Sequence, residues 1–522
     1  MGSRWARWPA VAVVLAVVAA CGGGGDDDDD EARAIFERET SEETTSTVDQ
    51  TEGIDLDGVP EEDQDDVIIQ ATIDEVEDFW DEEFPDAFGN EFEPVSGGFF
   101  PYGPNRELPT CGGRLTYEQI AGNAFYCPSD DLIAWDTDNL TNDLFEQFGP
   151  FSLVIVMAHE YGHAIQTRGG FTGPTIAGEQ QADCYAGAFT GFVNEGRTDV
   201  LNVSVNDLDS AIAGFITLRD APGTPIADPS AHGSAFDRVG AFQDGFLNGV
   251  DRCVEYEEIF DRGGSTAIPL EFNDDDFQTG GNAPFDPSDE GNIFDLTFGS
   301  LETFWAEAMA DQFEQDWDPL FQDDQVVAFN VDDPASLPEC PGTDIDIEDA
   351  AGQAFTCFGD PEDPDDDFVA FDIELAADLY ERIGDFAVSG ILSQQYAFVA
   401  QVLLGNTDND QVSFLQADCF SGAWAGALTA ATLEGEGQEL LPEFTDANGQ
   451  PQRVQISAGD LDEAVQSFLL LGEGADPDEQ GTTFERVAAF RDGFLNGLES
   501  CETYPENGAP GEDEGVPNES GE

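Results

Sequence analysis

The sequence predicts an α+β fold, mainly α, made from one domain in tandem duplication. Three observations carry that prediction. Short matches recur in a fixed order: Glu77-Asp78-Phe79-Trp80 as Glu302-Thr303-Phe304-Trp305, Ala124-Phe125-Tyr126-Cys127 as Ala354-Phe355-Thr356-Cys357, and Gln181-Ala182-Asp183-Cys184 as Gln416-Ala417-Asp418-Cys419. Asp244-Gly245-Phe246-Leu247-Asn248-Gly249 then recurs as Asp492-Gly493-Phe494-Leu495-Asn496-Gly497, and chance does not give four ordered matches. The cysteines other than Cys21 divide four and four, as Cys111, Cys127, Cys184 and Cys253, then Cys340, Cys357, Cys419 and Cys501. Helix signals also fall at matching places, since Ser234-x-x-Asp237 and Thr482-x-x-Glu485 both read as capping boxes.

Residues 1–21 read as an export signal. Arg4 and Arg7 precede a short apolar run, and Val18-Ala19-Ala20-Cys21 closes it with small residues. The run is too short to span a bilayer as a mature helix. Its ending resembles a bacterial lipobox, which implies cleavage before Cys21, a lipid on its sulfur and a place on the outer face of the cytoplasmic membrane. Residues 22–64, opening with Gly22 to Gly25 and Asp26 to Asp30, read as a flexible, self-repelling acidic tether. The first domain is expected over 65–260 and a Gly/Asp/Pro-rich linker over 261–294. The second domain is expected over 295–505 and an acidic tail over 506–522.

Each domain is expected to open on an amphipathic helix carrying the Phe-Trp pair. A loop between two cysteines follows, then a short strand such as Leu132-Ile133-Ala134-Trp135, then three helices. In the first copy the helices lie near 151–168, ending at Gly169-Gly170, then through Gln181 to about Val193, then from Ser234 onward. In an exported protein an even cysteine number points to disulfides. Cys111–Cys127 and Cys184–Cys253 are expected, with Cys340–Cys357 and Cys419–Cys501 as their equivalents, although spacing alone leaves connectivity open.

Net charge is −96, from 112 acidic and 16 basic residues, and every basic residue is arginine. Such a chain gains nothing from counterion release on nucleic acid or from an anionic lipid surface, so neither is expected as a partner. A 40% hydrophobic content with 41 phenylalanines still allows real cores. The charge is read as serving solubility, and it disfavours acidic peptides as ligands.

His159-Glu160-Tyr161-Gly162-His163 has the form H-E-x-x-H. On a helix, positions i and i+4 share a face, so both imidazoles reach one ion and Glu160 reaches a water on it. Two neutral imidazoles suit Zn²⁺, and Glu179, at the start of the next helix, is the expected third ligand. Asp183 shares a face with Glu179 and is expected to accept a hydrogen bond from a ligand imidazole. Two of the three histidines in the chain lie here; the third, His232, is a candidate donor to an oxyanion. Tyr161 and Arg238 recur as Tyr396 and Arg486 in a copy without chemistry and are read as structural.

His159-Glu160-Tyr161-Gly162-His163-Ala164-Ile165-Gln166 with Glu179-Gln180-Gln181-Ala182-Asp183-Cys184-Tyr185-Ala186-Gly187 closely resembles the bacterial neutral zinc metallopeptidases, marked by HEYGHHVQ and ELQADCFAG. Phe125-Tyr126-Cys127-Pro128-Ser129-Asp130 and His232-Gly233-Ser234 resemble two further segments of that family. The resemblance spans most of the first domain, with Ala164 and Gln180 as departures that touch no ligand. It implies a zincin-like fold, His159, His163 and Glu179 as zinc ligands, Glu160 as general base, and peptide or protein as substrate. Two other functions share the site: a non-catalytic surface lipoprotein with structural zinc that binds a partner or cell-wall component, and an amidase acting on peptidoglycan cross-links.

In the second copy His159 becomes Gln394, Glu160 becomes Gln395, His163 becomes Phe398, Glu179 becomes Phe414 and His232 becomes Gln480. What the copies share, including the glutamine pair Gln166 and Gln401, is assigned to the fold. The pattern predicts about one zinc per chain, all of it held by the first copy. Metal analysis of the purified chain checks this, and His159→Ala should bring the content to zero; two zincs per chain would contradict it.

Overall fold

The structure is a computed structural model and describes residues 64–225, 228, 231–261, 267–270, 281–320, 325–340, 345–358, 367–406, 410–429, 441–445, 451–452, 454–472 and 480–502. The export signal, Cys21, the tether up to residue 63, parts of the linker and the tail beyond 502 lie outside the described residues. At 59% helix and 9% strand the described residues form a mainly helical α+β fold.

The N-terminal unit opens with α1 (Gln64–Phe88), whose Phe79 and Trp80 are buried. Strand β1 (Gly98–Tyr102) pairs in parallel with β3 (Leu132–Asp136), and β2 (Ala124–Cys127) pairs with β3 in antiparallel fashion. The tight β2–β3 turn contains Asp131 in the left-handed region at φ 50°. Its carboxylate accepts from Ser96 at the head of β1 and from Arg168 near the end of the histidine helix, so one side chain ties sheet to helix. After the short α2 (Asn142–Phe148), α3 (Phe151–Gly169) ends on left-handed Gly170, as Gly169-Gly170 predicts. Next come α4 (Thr175–Asn194), α5 (Val205–Thr217) and α6 (Ala235–Asp261), the last bent at Gly249, φ 71°.

The C-terminal unit has the same order: α7 (Ile293–Asp311), strands β4 (Val326–Phe329), β5 (Ala354–Cys357) and β6 (Phe368–Asp372), then α8 (Ile373–Arg382), α9 (Asp385–Leu403), α10 (Gln411–Ala427), α11 (Asp460–Gly472) and α12 (Thr483–Asn496). Its sheet also runs edge–centre–edge, with β6 parallel to β4 and antiparallel to β5. Helix α9 is long and apolar enough to cross a membrane, yet it is 72% buried inside the protein and serves as a core helix.

Two elements exceed the sequence expectation. The mixed sheet has three strands per unit where one was expected, and α5 and α11 stand between the second and third expected helices. Ser204 and Asp207 form the capping box of α5, and Ser457 makes the corresponding two donations to Asp460 at the start of α11. These caps, followed by apolar Leu208, Ala211, Ile212, Phe215 and Ile216 at helical spacing, were the available signal.

All four disulfides join the expected partners, each within one unit. Cys184–Cys253 spans the crossing of α4 and α6, where the backbones meet through glycine. A Cβ at Gly187 would stand 1.9 Å from the Phe242 carbonyl oxygen, and one at Gly245 1.8 Å from that of Cys184. Gly422 and Gly493 repeat this at the α10–α12 crossing, with 1.8 Å at each. The Asp-Cys-x-x-Gly motif common to both halves therefore serves a close helix approach that any larger residue would block.

The two units share one hydrophobic core. Phe236 packs on Phe490 and Phe494 at 6.3 and 5.4 Å, while Phe484 packs on Phe242 and Phe246 at 6.3 and 5.1 Å. Arg491 also crosses, pairing with the buried Asp244 at 2.8 Å.

Burial raises the carboxyls of Asp209 and Asp385 to about 6 and that of Asp237 to about 7, from an ordinary value of 3.8. A carboxyl that binds its proton more tightly in the folded state stabilises the fold while protonated, and this contribution is lost as pH rises through the window from 3.8 to about 7. The repulsion among the excess acidic groups has the same sign. Asp131 and Asp244 behave oppositely. Burial opposes their charge, but hydrogen bonds from Ser96 at Asp131 and the Arg491 guanidinium at Asp244 hold them below the usual range, and their contribution is lost in acid. Thermal melts should therefore show the melting temperature rising as pH falls from 8 to about 5 and dropping again below about 4. Stability that climbed steadily from pH 5 to 8 would contradict this.

Candidate metal centre

The residues expected to act lie on adjacent helices. His159, Glu160 and His163 are on α3, and Glu179 lies one turn into α4. The Thr175–Asn194 helix returns antiparallel to α3 after the Gly170 cap, which brings Glu179 opposite both imidazoles. His159 Nε2 lies 3.4 Å from Glu179 Oε2, and His163 Nε2 lies 3.6 Å from Glu179 Oε1. These separations exceed an ordinary hydrogen bond of about 2.7–3.2 Å. Each imidazole faces its own oxygen of the Glu179 carboxylate, at the roughly 3.3–3.6 Å that separates donor atoms sharing one ion through bonds of about 2.0–2.2 Å. Two imidazole nitrogens and one carboxylate lie within 4.8 Å of one another, a donor set that would suit a single divalent ion such as zinc.

The outer nitrogens of both rings are held. His159 Nδ1 meets Asp183 Oδ1 at 2.7 Å. His163 Nδ1 meets Gln166 Oε1 at 3.0 Å, and Gln166 Nε2 donates to the Gly178 carbonyl one residue before Glu179. Each Nε2 is thereby aimed at Glu179. The sequence reading assigned Gln166 to the fold because it recurs as Gln401. Gln401 does keep the fold contact, donating to the Ser413 carbonyl at 2.8 Å. The second end of Gln166 serves His163, and its position three residues on from His163, on the same helix face, was the signal for this.

Asp183 is fully buried and also takes a two-pronged contact from Arg238, Nε to Oδ2 at 2.8 Å and Nη2 to Oδ1 at 2.9 Å. Burial opposes charge on Asp183, but Arg238 and His159 together hold its carboxyl below the usual range. In the C-terminal unit Arg486 grips Asp418 in the same way, while neutral Gln394 stands where His159 would be. There burial outweighs Arg486 and the carboxyl rises. Around the ligands, burial disfavours the charged forms, yet Asp183 and Glu179 raise His159 to about 10 and the two histidines lower Glu179.

Glu160 is buried, and one of its carboxylate oxygens accepts the Tyr126 N–H of β2 at 2.8 Å. The Phe125-Tyr126-Cys127 strand thus fixes Glu160 against the helix, a role not read from the sequence. Tyr161 donates to Glu77 at 3.0 Å and Tyr396 donates to Glu302 at 3.0 Å, a packing contact common to both units. His232 stands apart from the cluster. Its Nδ1 faces Asp220 at 3.4 Å, and among the described residues it makes no hydrogen bond or ion pair to the three ligand residues. Its loop does approach α4: a Cβ at Gly233 would stand 3.6 Å from Gln180 Nε2. In the C-terminal unit Phe398 and Phe414 occupy the positions of His163 and Glu179, their rings 5.0 Å apart.

Three mycobacterial proteins resemble this chain, one from Mycobacterium bovis and two from strains of Mycobacterium tuberculosis, all uncharacterized. Each is 32% identical over 152 residues, covering 24% of this chain and 52% of the relative. The chain thus spans about half the length of the curated relatives it matches. No family model matches the chain, and no solved structure matches it.

Removing Arg238 would leave Asp183 buried without its main counter-charge. Arg238→Met is expected to cost about 3–5 kcal/mol of unfolding free energy, and Arg486→Met a similar amount in the other unit. Urea denaturation measures both; losses under about 1 kcal/mol would show that these pairs do not hold the helices together.

Proposed function

We propose that the protein is an extracytoplasmic zinc metallopeptidase, a tandem zincin-like duplication with one intact and one degenerate site, held to the membrane by a lipid on Cys21. The observation that carries this reading is the disposition of His159, His163 and Glu179 around one point, with Glu160 beside them. A bound zinc would supply a Lewis acid and a water acidic enough to lose its proton near neutrality.

The residues of this chain do the rest. Asp183 and Gln166 hold the imidazoles in the tautomer that presents Nε2. Tyr126 N–H fixes one oxygen of Glu160 and leaves the other to take a proton from the attacking water and pass it to the leaving amine. His232, oriented by Asp220, is the proposed donor to the oxyanion. Peptide or protein is the proposed substrate.

The donor count favours hydrolysis over a structural zinc. A structural site closes its coordination with four protein ligands, whereas three donors meet here among the described residues, beside a buried carboxylate. Glu160→Gln should keep its zinc and lose peptide hydrolysis by a factor of about 10²–10⁴, and a chelator should abolish the wild-type activity. Assays of peptide cleavage alongside metal content test this. A chain that binds zinc but cleaves no peptide with Glu160 present would favour the lipoprotein with structural zinc.

A further inference from the structure

The C-terminal unit lacks the groups of the metal centre, yet one of its carboxylates reaches into the framework of that centre. Asp462, on α11, is 3% exposed and lies against the N-terminal unit. Its Oδ1 accepts the Phe236 N–H in the first turn of α6 at 3.0 Å, and its Oδ2 pairs with Arg219 Nε at 3.2 Å. Both contacts lead toward the site. Two residues beyond Phe236 is Arg238, which grips Asp183, which in turn holds His159. Arg219 lies between Leu218, whose carbonyl accepts from Arg238 Nη1 at 2.9 Å, and Asp220, which accepts the His232 and Gly233 N–H groups at 2.7 and 2.8 Å. One carboxylate from the second unit thus sits under both the helix turn that places Arg238 and the loop that carries His232. The small cleft at this seam is lined from both sides, by Asp220, Gly233 and Ser234 with Ala458, Gly459 and Asp462.

We infer that Asp462 is a positioning residue for the metal centre, and that the C-terminal unit is kept as the built-in partner that completes the N-terminal one. The inference rests on the metal reading above. A mirror contact separates it from a purely architectural role. The Ser204/Asp207 and Ser457/Asp460 caps align α5 with α11, so Asp209 corresponds to Asp462. Asp209 accepts the Phe484 N–H at 3.0 Å, at the start of α12. Capping across the interface is therefore reciprocal, the pattern of a two-fold dimer fused into one chain. The same alignment puts Gly472 opposite Arg219, and among the described residues the arginine contact is seen on the side that carries the histidines.

The test uses the full chain. Zinc affinity is measured by competition with a chromophoric chelator, geometry by the absorption bands of the cobalt-substituted protein, and stability by thermal melts. Asp462→Ala should weaken zinc binding about tenfold, the lower end of what residues behind the ligands supply, and shift the cobalt bands. Asp462→Asn keeps an acceptor for Phe236 but no charge for Arg219, and should fall between Asp462→Ala and wild type. Asp209→Ala should lose comparable stability while keeping zinc affinity within about twofold, since its contact is remote from the ligands. Wild-type affinity in Asp462→Ala would overturn the inference, and so would equal losses in Asp462→Ala and Asp209→Ala, which mean general loosening. A wild-type chain that takes up no zinc would sink the metal reading, and this inference with it.

Discussion

The ion pair between Asp183 and Arg238 is the constraint on which the rest of the N-terminal unit depends. A carboxylate this deeply buried is costly unless it is paired and hydrogen-bonded on both oxygens. Meeting that need fixes how α4 and α6 sit against each other. The glycines at Gly187 and Gly245 let the two backbones close to the required distance, and Cys184–Cys253 spans the crossing. Once Arg238 has satisfied Asp183, the same carboxylate orients the outer nitrogen of His159. Architecture and chemistry therefore share one side chain, and neither can be altered without disturbing the other.

The C-terminal unit shows which part of that arrangement persists without the histidines. Asp418 and Arg486 preserve the buried pair, and Gly422 with Gly493 preserves the crossing. The neighbour of the carboxylate is Gln394, which hydrogen-bonds but brings no charge, and burial then prevails over the arginine. Where His163 and Glu179 would face each other, Phe398 and Phe414 pack edge to face. Replacing a charged cluster by two aromatic rings removes the desolvation cost of the site and adds apolar contact. That exchange is consistent with a half kept for its surface and its stability.

Much of this was legible along the chain. Helix ends were marked by Gly170 and by the Ser234 and Thr482 caps, and the cysteine pairs followed the repeat. His159, His163 and Glu179 could be grouped because helical spacing and a short return connection are local facts. The edge strands at Gly98–Tyr102 and Ala124–Cys127 were not legible, since neither alternates cleanly and their pairing is set by β3. Helix α5 was legible, its cap and apolar spacing being present in the sequence. The recurrence of Gln166 as Gln401 marks only its fold contact, because its amide has two ends with different partners.

By itself the sequence determined the mainly helical class of fold, the internal repeat with its cysteines divided four and four, and which residues form a candidate site. Each of these depends on spacing along the chain, which periodicity and capping convert directly into faces and ends of helices. Only the tertiary structure decided that the two halves share a core, that Asp462 and Asp209 cap helices across their boundary, and that Arg238 closes on Asp183. Those contacts join residues tens to hundreds of positions apart. Their geometry is set by how close two helices can approach and which buried charges must find partners, and no local pattern encodes either.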